Sequence, residues 1–590
     1  MIDPTNCSSA QASALVEELA RAGVSHAALS PGSRSTPVAL ALEREPTIEV
    51  AVILDERSAG FYALGAALAS GRPAVVACTS GSAAANLHPA IVEADEAGVP
   101  LIALTSDRPP ELRGIGAGQA IDQIKLFGDA VRLFIEAGSH DADDAGLLHY
   151  RAIAVRSIAA ATGHNGRPGP VQLNLPWRDP LGPEAQPEDV TATNPLALEG
   201  RGDRPLTVPI PSRGPSDALV GVIAERIASA QRPLIVAGRN RNQALPAELR
   251  RLATGIGAPL LADPTSGLRF ADPGGVTIVG AYDSIARAGL ADQAIADRLA
   301  PDLILRFGDL PTSKPLRTWL GRLDDAEIVI DTPREWDDPS RTAGAVVAGD
   351  GAALASALAG TLGGEAADGF AAIWASAERA ASTAIDQRLS QAEAITEPSI
   401  HRAAAAAYRD GDRCLLASSM PIRDHESFVP PRDVKIDVIS NRGANGIDGL
   451  VSTAAGIAAA SAAPTWAILG DLALAHDVGG LAVLAGAKVP LRLVVIDNGG
   501  GGIFDFLPQA EQVDEGSFER LFTTPSGLDI GKAAALYGIE HVVIESATEI
   551  AAVAARPGPV LIEARVDRSA NVTLHRELHD AAAAAIAAAL

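Results

Sequence analysis

Two short segments of this sequence carry the oxygen ligands that a hard divalent cation takes. The first is Gly470-Asp471-Leu472, and the second is Asp497-Asn498-Gly499-Gly500-Gly501-Gly502. Each follows an apolar run that reads as a buried parallel strand, Thr465 to Leu469 and Leu491 to Ile496. The stretch between Asp471 and Asn498 has room for one turn, one helix and one more strand, which makes a βαβ unit. Both residues are therefore expected at the carboxyl ends of neighbouring strands, where open α/β sheets bind ligands. The Asp471 carboxylate, the Asn498 amide oxygen and the Gly500 carbonyl suit Mg2+, which is held by few protein groups plus ligand phosphates; Mn2+ takes similar donors. Gly-Asp and Asn-Gly are also common turn dipeptides, so the pair alone leaves a plain loop open.

A second candidate lies in the first third of the chain, at Leu54-Asp55-Glu56-Arg57-Ser58-Ala59-Gly60. Ile48 to Leu54 reads as a strand, and Ser58 to Ala69 as a helix closed by Gly71 with Pro73 just beyond. Glu56 thus falls in a strand-to-helix turn. There it can match the helix dipole as a first-turn carboxylate, or it can serve a ligand. The next segment, Ala74 to Ala90, reads as a strand, a Gly/Ser turn and a helix of small residues.

These segments need α/β elements to position them, and the composition supplies them. The 590 residues suit about three to four domains of ordinary size. Hydrophobic content is 47% but aromatics are only 4%, so the cores must rest on Ala, Leu, Val and Ile. A net charge of −24 argues against non-specific nucleic-acid binding, which needs a basic surface. Cys7, Cys78 and Cys414 lie far apart without metal-ligand spacing, which fits a reducing cytoplasm. The N-terminus lacks the basic and apolar regions of a signal peptide. The uncharged run Leu450 to Gly470 contains Pro464 and reads as a buried helix followed by a strand, not as a membrane span. Ala581 to Leu590 reads as a terminal helix.

Along the chain, Ser8-Ser9-Ala10-Gln11 offers a capping box for a helix reaching about Ala22. From Val24 to Trp177, strands alternate with helical patterns, and Leu181 to Pro215 reads as a linker. A second α/β unit has strands at Pro233 to Ala237, Pro259 to Leu261, Leu303 to Phe307 and Glu327 to Ile330, and ends near Gly360 to Gly369. A third starts with a helix near Pro398 to Arg409. Its strands include Cys414 to Ala417, Lys435 to Ile439, the two runs before Asp471 and Asn498, and Pro559 to Glu563. No short-period repeat is visible. The fold class is α/β, with three tandem doubly wound domains at 1–185, 205–365 and 390–590.

This organisation, the GD…N pair, Glu56 and the Ala74 to Ala90 segment resemble the thiamine diphosphate enzymes. The resemblance assigns the pyrimidine-binding, central and diphosphate/Mg-binding roles to the three domains in that order. It implies that Glu56 sits beside a ring nitrogen of the aminopyrimidine and that Mg2+ clamps the diphosphate. Four further segments narrow the likeness: Ser30-Pro31-Gly32-Ser33-Arg34-Ser35-Thr36-Pro37; Asp107-Arg108-Pro109-Pro110-Glu111-Leu112-Arg113 with Gln119 soon after; Ser440-Asn441-Arg442-Gly443-Ala444-Asn445-Gly446-Ile447-Asp448-Gly449; and Gly502-Ile503-Phe504. They closely resemble the 2-succinyl-5-enolpyruvyl-6-hydroxy-3-cyclohexene-1-carboxylate synthase family of menaquinone (vitamin K2) biosynthesis. The likeness covers nearly the whole chain and is least clear in the linker and central domain.

That resemblance implies decarboxylation of 2-oxoglutarate and conjugate addition of the resulting carbanion to isochorismate. Both substrates are dicarboxylates, and arginine's planar fork suits carboxylates. Arg34, Arg108, Arg423 and Arg442 are all expected in loops after strands. With Ser33 and Gln119 they would bind substrate, and Lys314 would assist from a loop of the central domain. Ile447 would prop the cofactor, Ile503 and Phe504 would line the reacting face, and Gly470 and Leu472 would flank the metal. The resemblance further implies a homodimer or dimer of dimers, with sites shared between chains. One departure is the DNGGGG loop, where more Asn is expected in relatives; the extra glycine should loosen it. Three other readings stand beside this one. An acetolactate synthase-like carboligase is disfavoured by the arginine set. A non-catalytic thiamine-fold subunit is disfavoured by intact Glu56, Asp471 and Asn498. A nicotinamide dehydrogenase is disfavoured because no GxGxxG follows the first strand.

Overall fold

The apolar runs become three six-stranded sheets, and every ladder among the described residues is parallel. The computed structural model describes residues 2–164, 166–210, 214–323, 325–331, 336–362, 369–392 and 394–590. The 365 boundary expected for the central domain lies outside these residues, as does part of the linker.

The first sheet holds β1 (His26–Leu29), β2 (Glu49–Val52), β3 (Ala74–Cys78), β4 (Leu101–Asp107), β5 (Leu133–Glu136) and β6 (Val171–Pro176), in the order β2-β1-β3-β4-β6-β5. The second holds β7 (Pro233–Ala237), β8 (Leu260–Ala262), β9 (Ile278–Val279), β10 (Leu303–Phe307), β11 (Glu327–Ile330) and β12 (Ala345–Val347), in the order β12-β11-β10-β7-β8-β9. The third holds β13 (Arg413–Leu416), β14 (Asp437–Ile439), β15 (Thr465–Gly470), β16 (Leu491–Asp497), β17 (Glu540–Ile544) and β18 (Pro559–Arg565), in the order β14-β13-β15-β16-β18-β17. The first and third sheets therefore share one strand order, position for position. The second has the doubly wound order of dinucleotide-binding folds. No repeat in the sequence announces the shared order, because it lies in the connections and not in residue identity.

Parallel sheets are covered on both faces, and side-chain alternation shows this in the second one. Ile235, Ala237, Leu305 and Phe307 join a core with the helices Asp217–Ser229, Leu245–Ile256 and Gly351–Thr361. Leu234, Val236 and Ile304 join another, with the helices Tyr282–Ala291, Phe370–Leu389 and Arg568–Ala589. The C-terminal helix thus starts well before Ala581 and covers the second sheet.

Six helices matter for the site: α1 (Cys7–Arg21), α2 (Glu56–Ser70), α3 (His88–Ala97), α4 (Glu397–Ala407), α5 (Met420–Phe428) and α6 (Leu450–Ser461). The cap of α1 is Asn6, whose side chain accepts the Ser9 N–H at 2.9 Å, not the expected Ser8. By packing, the chain forms two compact units. One is Met1–Pro211 with Asn441–Ala462 and His476–Val489; the other is Ser212–Ser440 with Ala463–Ala475 and Pro490–Leu590. Part of the expected linker belongs to the first unit's core: Ala197 is fully buried there, and its carbonyl accepts Arg151 Nε at 2.8 Å.

In the first unit α2 crosses α6 at two reciprocal glycines. A Cβ on Gly65 would lie 2.1 Å from the Thr453 carbonyl oxygen, and one on Gly456 would lie 2.0 Å from that of Tyr62. Only glycine permits so close a crossing. α2 is buried on nearly every side from Ser58 to Ala69, which explains its run of Ala and Gly without a polar stripe. Gly71 closes it in the left-handed conformation, φ 66°.

Candidate active site

In the first unit Glu56 is the opening residue of α2, directly after β2. Asp55 caps the helix, its Oδ1 accepting the N–H groups of Arg57 at 2.8 Å and Ser58 at 3.4 Å. Glu56 itself is half-buried. Its helix is tied to α6 by Asp477, a fully buried carboxylate that accepts from the Ser452 N–H (2.8 Å), the Ser452 hydroxyl (3.1 Å) and the Ser58 hydroxyl (3.4 Å). Arg442 and Ile447, both half-buried, lie on the loop leading into α6. The buried Glu93 of α3 fixes that loop, its two oxygens accepting from Gly443 N–H at 2.8 Å and Ala444 N–H at 2.7 Å. Neither Asp477 nor Glu93 stands out in the sequence, where each reads as an ordinary helix-associated acid.

Ser33, Arg34, Arg108 and Gln119 gather at the carboxyl ends of β1, β3 and β4. Ser33 and Arg34 occupy a 3-10 turn after β1, with Ser33 exposed and Arg34 only 7% exposed. The turn packs tightly: a Cβ on Gly32 would lie 2.3 Å from that of Thr79. Arg34 Nη1 donates to the Trp177 carbonyl at 2.9 Å and lies 3.7 Å from Asp179, but its buried Nε has no partner among the described residues. Burial, and then the neighbouring Arg108 guanidinium, hold the Arg34 pKa below the usual arginine value. Arg108 donates through Nε and Nη2 to the Gly118 carbonyl at 3.2 and 2.8 Å. Gln119, at φ 55°, exchanges two hydrogen bonds with Ser80. Beneath them runs a buried polar network that no motif announces. Asn174 donates to Asp107 at 2.8 Å and Glu136 at 2.7 Å, and Gln123 donates to Asn174 at 2.9 Å.

In the second unit the registers pair Gly470 of β15 with Ile496 of β16, so Asp471 and Asn498 leave adjacent strand ends. Asp471 is 4% exposed, and its Oδ1 is buried without a hydrogen-bond partner among the described residues. Burial, with the Asp497 charge next, pushes its carboxyl up to about 7. Asn498 Nδ2 donates to Glu397 at 2.9 Å, and Asn498 Oδ1 accepts the Gly500 N–H at 3.3 Å. The glycine loop is pinned, contrary to the expected loosening. Gly501 N–H donates to the Thr523 carbonyl at 2.8 Å, and a Cβ on Gly500, at φ 144°, would lie 2.5 Å from that same oxygen. Glycine is there for closeness. Gly470 closes β15, Asp471 opens the next helix with Leu472 second in it, and Ile503 and Phe504 stand half-buried in a 3-10 turn. An orphaned buried carboxylate oxygen beside an amide and a pinned glycine loop is a donor set that a hard cation fits. No cluster of three His, Cys, Asp or Glu is found among the described residues, so any such site depends on amide and carbonyl oxygens too.

Two expected loop residues are on helices. Arg423 lies in the first turn of α5, because Pro421 starts a helix directly after the Ser419 turn; its Nη1 donates to the Ser419 carbonyl at 2.5 Å. Burial lowers its pKa. Lys314 is the exposed first residue of the helix Lys314–Leu320, which Ser313 caps.

Family models match both ends of the chain: "Thiamine pyrophosphate enzyme, N-terminal TPP binding domain" over residues 10–126, and "Thiamine pyrophosphate enzyme, C-terminal TPP binding domain" over 438–564. Curated relatives named 2-succinyl-5-enolpyruvyl-6-hydroxy-3-cyclohexene-1-carboxylate synthase match almost end to end. That of Myxococcus xanthus is 41% identical over 98% of this chain and 97% of its own length. That of Chloroflexus aurantiacus is 41% identical over 96% of this chain and 94% of its own. That of Halobacterium salinarum is 40% identical over 96% of each.

Proposed function

The chain belongs to the 2-succinyl-5-enolpyruvyl-6-hydroxy-3-cyclohexene-1-carboxylate synthase family of thiamine diphosphate enzymes, and from that premise we propose that it decarboxylates 2-oxoglutarate and joins the remaining carbons to isochorismate in menaquinone biosynthesis. The observation that carries this reading is the buried Arg34, with its Nε unpartnered beside a second guanidinium. A buried guanidinium beside a second, half-buried one calls for an anion, and a dicarboxylate supplies it.

Asp471, the Asn498 Oδ1 and the Gly500 carbonyl would hold Mg2+, or Mn2+ in its place, beside the cofactor, with Gly470 and Leu472 shaping the turn. Bound thiamine diphosphate supplies a nucleophilic carbon and an electron sink for decarboxylation. Glu56 holds a proton at the aminopyrimidine ring nitrogen. Ser33, Arg34, Arg108, Gln119, Arg423 and Arg442 bind and orient substrate carboxylates and hydroxyls, and Lys314 assists. Ile447 would pack against the bound cofactor. Ile503 and Phe504 form an apolar wall that keeps water, and hence premature protonation, from the reacting carbon.

In this reading the chain is divided into a pyrimidine-binding domain at 1–185, a central domain at 205–365 and a diphosphate/Mg-binding domain at 390–590. The working unit is a homodimer or a dimer of dimers in the cytoplasm. Cys7, Cys78 and Cys414 are free, and among the described residues no helix is long and apolar enough to cross a membrane. The test is substrate choice. With thiamine diphosphate and Mg2+, 2-oxoglutarate should be consumed in an isochorismate-dependent way and pyruvate should not replace it. Turnover of pyruvate alone would overturn the reading.

A further inference from the structure

The Asn498 amide is gripped by a buried carboxylate to which the family resemblance assigns no role. Glu397 opens α4 behind the Thr396 cap and is 2% exposed. Its Oε1 accepts Asn498 Nδ2 at 2.9 Å, while the Gly500 N–H approaches the other end of the amide at 3.3 Å. Both contacts favour one flip of the side chain, with nitrogen toward Glu397 and oxygen toward the glycine loop. Behind Glu397 stands the fully buried Asp424 of α5, and His575 Nε2 lies 3.3 Å from Asp424 Oδ1.

We propose that Glu397 is a positioning residue for the metal site, an acceptor that locks the Asn498 amide with its oxygen turned to the cation. The proposal rests on the assignment of Asp471, Asn498 and Gly500 as Mg2+ donors. The two ends of an asparagine amide are nearly alike in size, so shape alone does not choose between them. Turned the other way, the NH2 group would face the cation and repel it. Contacts behind a metal ligand typically govern about 10–100-fold in metal affinity.

The test is calorimetric titration of Mg2+ into the full chain with thiamine diphosphate and no substrate, beside the melting curve of the metal-free protein. Glu397→Asp keeps the charge but withdraws the acceptor by one methylene. Glu397→Gln keeps the reach: its carbonyl accepts from Asn498, and its NH2 has the Asp424 carboxyl behind it to donate to. Mg2+ affinity should fall about 10–100-fold in Glu397→Asp and stay within about threefold in Glu397→Gln, with matching metal-free melts. Glu397→Ala carries the same expectation as Glu397→Asp and replaces it if that variant does not fold. Wild-type affinity in the withdrawn variant, or equal loss in the Gln and Asp variants, overturns the proposal. Asp471→Ala separates the two levels: unchanged Mg2+ affinity there means that the metal assignment, and not the positioning, has failed.

Discussion

Gly456→Ala should damage the protein even though alanine is the better helix former. Within a helix, Gly→Ala gains about 0.5–1 kcal/mol. At Gly456 the new methyl would lie 2.0 Å from the Tyr62 carbonyl oxygen. Carbon and carbonyl oxygen settle near ~3.3 Å, so α2 and α6 must part by about 1 Å. Parting of that size forfeits roughly a quarter to a half of each dispersion contact along the crossing, and overpacking of this kind costs about 1–3 kcal/mol. The clash outweighs the propensity. Because α2 begins at Glu56 and α6 follows the Arg442 loop, the shift reaches the site, and a misplacement of about 1 Å costs about 100-fold in rate. Gly221 is the control: it is exposed in the helix Asp217–Ser229, and a Cβ there meets nothing within 4 Å. Gly221→Ala should stabilise by about 0.5–1 kcal/mol and leave activity alone. Hydrogen exchange read on α2 and α6 peptides is the assay, since a chain of several domains does not unfold as one unit. Wild-type protection and activity in Gly456→Ala would refute the reasoning.

Arg423→Ala and Arg442→Ala should each lower kcat/KM by two orders of magnitude or more, since unpairing a buried charge costs about 3–5 kcal/mol and each tenfold about 1.4. Less than tenfold in both, with each substrate varied in turn, would place these arginines outside the dicarboxylate site. A Glu56→Gln chain mixed with an Asp471→Ala chain should regain activity in hybrid dimers, and proven subunit exchange without recovery would rule out a shared site. Glu426→Gln should protect the fold at alkaline pH. Burial, with Asp263 and Asp283, pushes Glu426 up to about 8, so the native state keeps a proton the unfolded chain has lost, and stability falls as pH rises through that window. The melting advantage of the variant should widen from about pH 5 to about pH 9; a constant gap would show that Glu426 does not titrate in the fold.

The strands were legible because parallel sheets write themselves as short apolar runs. β7, β10 and β11 match their expected bounds, and Asp471 and Asn498 leave neighbouring strand ends. Glycines were harder. Gly65, Gly456 and Gly500 owe their identity to backbones that approach from far along the chain, so the 499–502 run looked loose when it is pinned. Arg423 was expected in the loop after its strand, but a helix begins at Met420 almost directly after β13, with Pro421 well placed in its first turn. Glu397, Glu93 and Asp477 were invisible as site residues. Each is one acid among many until the fold closes over it and hands it backbone or amide donors.

The most direct measurement follows the carbon of 2-oxoglutarate. The protein is incubated with thiamine diphosphate, Mg2+, isochorismate and 2-oxoglutarate carrying 13C at either the keto-side carboxyl or the distal carboxyl, and the product is weighed by mass spectrometry. The account predicts one adduct of both substrates less CO2, unlabelled from the first substrate and labelled from the second. Succinic semialdehyde with isochorismate left intact, or an adduct that keeps the keto-side label, would contradict it.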